Sequence, residues 1–223
     1  MGGRVEYIIH TYPGRLWYVE NYLIPSMLAQ GIERDQITVW SDPGLGNLYS
    51  FMWCCAQSKG KKGGAWHLQD DVCICSDFAE RTKQYNSGVV CGFCYNGYED
   101  GEEPVTGPVF SVLMWNSSFP CIRIPHSVAA ECADWFFSEG QYREDLHDLV
   151  RTGKKDDTIF HAFFTEKHRD DTVINLAPHL VEHVDYLIGG SSINQWRGHT
   201  TRGYYFEDDE AVEKLAIKLS ART

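Results

Sequence analysis

The chain has 223 residues, 43% of them hydrophobic and 23% charged. These proportions suit a globular protein and exclude wholesale disorder. Lys and Arg number 20 against 31 Asp and Glu, a net charge of -11, which argues against general coating of nucleic acid. No apolar run approaches the roughly 20 residues of a membrane-spanning helix, and the apolar stretch near residue 5 is too short for an export signal. We therefore expect a cytoplasmic protein with no membrane partner.

Eight cysteines occur, at Cys54, Cys55, Cys73, Cys75, Cys91, Cys94, Cys121 and Cys132. A chain of this length buries a core without staples, so reduced thiols are expected. A zinc site built from Cys73, Cys75, Cys91 and Cys94 is an alternative, although Cys-x-Cys is an unusual first half for one.

In chain order, Val5 to His10 is a short β-branched and aromatic run that suits a buried strand. Leu16 to Gln30 carries apolar residues at helical spacing, with Pro25 expected to kink or break it and Gly31 to stop it. Gln36 to Trp40 reads as a second strand, followed by a turn at Ser41-Asp42-Pro43-Gly44. Leu48 to Gln57 is a second helix, and Ala65 to Gln69 a third strand that runs into Asp70-Asp71. Further on, 88–95, 109–115 and 172–176 read as strands. His126 to Ser138, Asp156 to Phe164 and Asp209 to Ser220 read as helices.

Strands alternating with helices predict an α/β fold, a mostly parallel sheet flanked by helices in a single domain. Ligands in such sheets bind beyond the carboxyl ends of the strands. That rule brings together His10 to Arg15, Asp42 to Asn47, and Asp70-Asp71. Adjacent carboxylates at a strand end repel unless solvated or shared with a cation, and hard cations such as Mn2+ or Mg2+ favour carboxylates. The plain alternative is a solvated acidic turn. Arg15 offers a forked, permanent positive charge to a phosphate. Asp42 is either a ligand to base or ribose or a turn-stabilising Asp before proline. Asp156-Asp157 precedes a helix, where acids cap the positive end of the dipole.

The order HTYPGR, SDPG, QDDV, KKDDTIF and PHLVEH resembles the GT-A glycosyltransferases, and is closest to compact phage-like or bacterial members. The resemblance implies a GT-A (Rossmann-like) fold with a nucleotide-binding half at 1–78, an acceptor half at 79–205 and a terminal helix at 206–223. It implies a metal-dependent, inverting transfer from a nucleotide sugar, first a UDP-sugar, to a hydroxyl acceptor, either a glycan or a hydroxymethylated DNA base. A DNA acceptor would need a basic groove, from Lys59, Lys61, Lys62, Arg197 and Arg202. Asp71 and His183 would hold Mn2+ or Mg2+. His10, Thr11, Arg15, Asp42, Asp70, Ser191 and Ser192 would face the donor. Asp157 or Asp156 would be the base, with Asp157 preferred and Asp156 as the cap. The motif departs from Asp-x-Asp, because Gln69 precedes Asp70-Asp71. A nucleotidyltransferase, and a non-enzymatic zinc- or carbohydrate-binding module, are the competing readings.

Overall fold

A computed structural model describes residues 4–93, 107–111, 120–153, 155–189 and 208–221. Strand β1 (Glu6–Thr11) is followed by α1 (Leu16–Tyr18), a π-helical turn (Val19–Leu23) and α2 (Ile24–Ala29). Pro25 does not break this run. It stands in the first turn of α2, where its missing N–H matters least, and the wider turn before it absorbs the change in hydrogen bonding. Then come β2 (Ile37–Ser41), α3 (Asn47–Ala56), β3 (Gly64–Gln69), β4 (Val72–Ile74), α4 (Phe78–Gln84) and β5 (Val89–Cys91). The rest of the chain forms β6 (Gly107–Ser111), β7 (Cys121–Pro125), α5 (His126–Ser138), α6 (His147–Thr152), α7 (Asp156–Lys167), β8 (Val173–Ala177), β9 (Val181–His183) and α8 (Asp209–Ser220).

Among the described residues the main sheet has seven strands in the order β2-β1-β3-β7-β5-β8-β6. Strands β2, β1 and β3 are parallel to one another, as are β5 and β8, and β7 and β6 run antiparallel to their neighbours. The fold is α/β, with a mostly parallel mixed sheet flanked by helices. A separate antiparallel pair, β4 with β9, stands beside the end of β3.

Alternation along the strands divides the core into two layers. On one face Tyr7, Ile9, Trp66, Leu68 and Val90 pack with Tyr18, Leu23, Met27 and Phe78. On the other, Val89, Cys91, Ile122, Ile124 and Val173 meet α3, α5 and α7 through Phe51, Met52, Cys132, Phe136, Phe160 and Phe163. Strand β3 is buried from Gly64 to Leu68, as a central strand covered on both faces must be. Among the described residues no helix is long and apolar enough to cross a membrane.

Candidate active site at the carboxyl edge of the sheet

Strand β3 delivers Asp70 and Asp71 to the carboxyl edge, where the chain turns into β4. The next strand over, β1, ends in a tight turn closed by the Arg15 N–H donating to the Tyr12 carbonyl at 2.9 Å. Arg15 then starts the helical run and points its guanidinium at the acids, Nη1 standing 2.8 Å from Oδ2 of Asp71 and 3.5 Å from Oδ1 of Asp70. The Tyr12 backbone N–H approaches Oδ2 of Asp70 at 3.4 Å. The β4–β9 pair supplies the fourth member. Val72 and His183 are register partners, and the Val184 N–H donates to the Asp71 carbonyl at 2.8 Å. This brings Nε2 of His183 to 3.1 Å from Oδ1 of Asp71. Tyr18 locks the corner by donating its hydroxyl to the Val72 carbonyl at 2.9 Å.

All four groups are withdrawn from water, with Arg15 at 2% exposure and Asp70 and Asp71 at 7% each. Burial pushes both acids up, and their neighbours then separate them. His183 and Arg15 outweigh burial at Asp71 and hold it well below the ordinary carboxylate range. At Asp70, burial and the charge of Asp71 prevail over Arg15 and the Thr11 hydroxyl, and its pKa rises. Two adjacent carboxyls share one cationic environment, and Asp71 takes the charge while Asp70 keeps a proton more readily. Burial opposes the His183 imidazolium, but the Asp71 carboxylate outweighs it and raises the pKa.

Thr11 lies on the same face of β1 as this cluster and is buried. His10 does not join it. Its side chain points to the opposite face, where Nε2 lies 2.9 Å from Nδ1 of His67. Asp42 is occupied by its own loop, accepting the N–H groups of Gly44, Leu45 and Gly46 at 2.9, 2.8 and 3.0 Å. That is the turn-stabilising role, and the glycines at 44 and 46 have the positive φ it needs (98° and 85°). Asp156 does not cap α7. The N-cap is Lys155, and the Asp156 carboxyl is buried, accepting from the Asn47 amide at 2.8 Å. Burial, with the adjacent Asp157, pushes it up to about 7. Asp157 instead accepts from the Thr158 N–H at 2.7 Å and stays half-exposed. Ser191 and Ser192, with Arg197 and Arg202, lie outside the described residues.

No protein-family model matches the chain, and no curated protein matches it.

The donor set is suited to a divalent ion. Asp71 Oδ1 is buried and has no well-aligned hydrogen bond among the described residues, with Nε2 of His183 3.1 Å away. An oxygen and an imidazole nitrogen facing each other suit Mn2+ better than Mg2+. Asp185, which no sequence motif singles out, lies with Oδ1 3.6 Å from Nδ1 of His183, and that oxygen too is buried without a hydrogen bond among the described residues. A carboxylate behind a histidine orients the ring toward a metal. The spacing His183-x-Asp185 carried this signal, because alternate residues leaving a strand end share a side. Among the described residues Cys73, Cys75 and Cys91 are not part of the group that could hold a metal, and Cys94, the fourth thiol of that expectation, lies outside them.

Proposed function

We propose that this chain is a metal-dependent glycosyltransferase, moving a sugar from a nucleotide sugar, a UDP-sugar first, to a hydroxyl acceptor with inversion. The observation that carries the reading is the buried Asp71 held between Arg15 and His183 at the carboxyl edge, the location where α/β sheets bind nucleotides. Asp71 and His183 would hold Mn2+ or Mg2+, which when bound supplies positive charge to the departing diphosphate. Arg15 contributes a permanent charge on the same side and keeps the acidic pair from repelling the donor. The Tyr12–Arg15 turn and Thr11 line the side of this edge opposite His10.

Asp156 is the favoured base. A carboxyl with a pKa near 7 is matched to taking a proton at neutral pH, whereas Asp157 is engaged with Thr158. In the proposed step the acceptor hydroxyl loses its proton to Asp156. Its oxygen bonds the anomeric carbon from the far side, and the bond from that carbon to the diphosphate breaks, releasing the nucleoside diphosphate. Asn47 holds the other face of the carboxyl and fixes its direction.

Incubation with a panel of UDP- and GDP-sugars and Mn2+ tests the reading. Hydrolysis or transfer is expected with at least one donor, abolished by chelation and by Asp71→Asn. Absence of turnover with every donor, together with no Mn2+-dependent nucleotide binding, overturns it.

A further inference from the structure

Behind the edge, on the face opposite Asp71, the sheet and α3 build a second donor cluster of different chemistry. His10 of β1, His67 of β3 and Cys54 of α3 each present a ligand atom, and the three atoms lie within 4.8 Å of one another. Among the described residues no other set of three His, Cys, Asp or Glu side chains does so. The register explains the meeting. Strands β1 and β3 are parallel with Ile8 opposite His67 and His10 opposite Gln69, so both histidines project from the same face one step apart. Helix α3 lies over that face, with Phe51 and Cys54 three residues apart on one stripe. Phe51 packs on both imidazoles, its ring centroid 5.6 Å from His10 and 5.7 Å from His67. Ile8, Ala65 and Trp40 close the apolar wall around Cys54.

A second observation marks this cluster as more than a core contact. His67 is 2% exposed, and its Nε2 has no hydrogen-bond partner among the described residues. Nε2 of His10 and Nδ1 of His67 face each other 2.9 Å apart, so two imidazoles already meet at one point beside the Cys54 thiol. We propose that His10, Cys54 and His67 form a binding site for one thiophilic cation, Zn2+ or Cu+, independent of the ion at Asp71.

The donors and their surroundings favour such ions. One sulfur and two imidazole nitrogens select soft and borderline metals, whereas Mg2+ and Mn2+ favour oxygen. The groups that act on His67 are burial and the imidazoles of His10 and His126, all of which keep the ring neutral. Burial likewise holds His10 down at about 4, so both rings bind without losing a proton. Burial pushes the Cys54 thiol up to about 12. On binding, the S–H proton leaves to solvent and a metal–thiolate bond replaces it. One thiolate and two neutral rings carry a single negative charge, which leaves a Cu+ complex neutral and a Zn2+ complex at +1. The ion would pin β1 and β3 to α3 directly beneath Thr11 and Asp70, stiffening the strands that carry the edge.

The test uses the whole chain, stripped of metal and titrated separately with Zn2+, with Cu+ without oxygen, and with Co2+ as a spectroscopic probe. One equivalent is expected to bind, and the Co2+ adduct is expected to show a thiolate charge-transfer band. Whichever of Zn2+ and Cu+ survives the stronger competing chelator is the resident ion. Cys54→Ala should erase the band and weaken binding roughly 100-fold, and His10→Ala roughly 10-fold. Cys73→Ala, near Asp71, should leave both unchanged. If Cys54→Ala does not fold, Cys54→Ser and the half-buried His10→Ala carry the same comparison. Folded protein that binds none of the three ions stoichiometrically overturns the site. So does a band that survives loss of the Cys54 thiol, or one lost with Cys73. None of these results touches the Mn2+-dependent nucleotide binding on which the transferase reading stands.

Discussion

Nε2 of His183 stands 3.1 Å from Oδ1 of Asp71 because the residue after Asp71, Val72, is the register partner of His183 in the β4–β9 pair. A short two-stranded ladder thus sets the distance between a carboxylate and an imidazole far apart in sequence. Arg15, from a third element, closes the other side of the same carboxylate at 2.8 Å. The cluster is a junction of three chain segments, and its integrity reports on all of them.

Arg15 supplies the permanent cation for two buried acids. Removing one partner of a buried ion pair leaves the other uncompensated, which costs about 3–5 kcal/mol. Arg15→Met is expected to lower the thermal midpoint substantially. Arg15→Lys should restore part of it, with one point charge in place of a fork. Denaturant unfolding of the three proteins checks this, and an Arg15→Met protein as stable as the parent rejects the ion-pair account.

Asp185 lies 3.6 Å behind His183 and is expected to orient its ring. Asp185→Asn should weaken Mn2+ binding about 10- to 100-fold while leaving the fold intact. Paramagnetic resonance of free Mn2+ during titration reads this directly. An unchanged affinity would show that Asp185 does not steer the ring.

Much of this arrangement was legible in the residues. The run Ala65 to Gln69 followed by two acids pointed to a buried strand and its carboxyl edge, and β3 with Asp70-Asp71 is found there. Likewise His126–Ser138 and Asp209–Ser220 form the helices their periodicity predicts. What escaped depends on contacts distant in sequence. Strands β4 and β9 are three residues each, too short for a periodic signal, and exist because they pair with one another. Strand β7 hides a buried Arg123 among apolar residues, tolerable only because its guanidinium donates to the Asn86 side chain and the Gly88 carbonyl. His10 ends the first strand and so falls at the edge in the sequence, yet alternation turns its side chain to the other face. Asp156 looked like a cap, but Asn47 recruits it into a buried contact that no local pattern encodes.

Gly64 opens β3 against the antiparallel β7. A Cβ there would meet the Ile124 carbonyl oxygen at 2.6 Å and the Pro125 Cα at 2.8 Å, both backbone atoms that cannot turn aside. Gly64→Ala is therefore expected to destabilise by about 1–3 kcal/mol through overpacking. Gly60→Ala is a control for glycine loss itself, since nothing stands within 4 Å of its Cβ position, although its φ of 78° carries strain of its own. Equal midpoints for the parent and Gly64→Ala would refute the close approach of the two strands.

Asp156 separates stability from chemistry through its pH dependence. Its pKa rises from 3.8 to about 7 in the fold. The folded chain therefore keeps this proton after the unfolded chain has lost it, so the native state binds more protons between about pH 4 and pH 7. Stability must then fall as pH rises through that window, by at most about 4 kcal/mol from this group. Asp156→Asn keeps an oxygen for the Asn47 amide and removes the titration. The variant should match the parent in thermal midpoint near pH 4 and exceed it at pH 8. Activity should move the opposite way. If Asp156 takes the acceptor proton, parent turnover climbs as pH rises toward and past 7, and the variant loses turnover at every pH by about 100-fold or more. A variant stabilised at high pH that keeps full turnover would leave Asp156 a buried acid with no part in proton transfer. One with no pH-dependent stability difference would mean that the carboxyl titrates in the ordinary range.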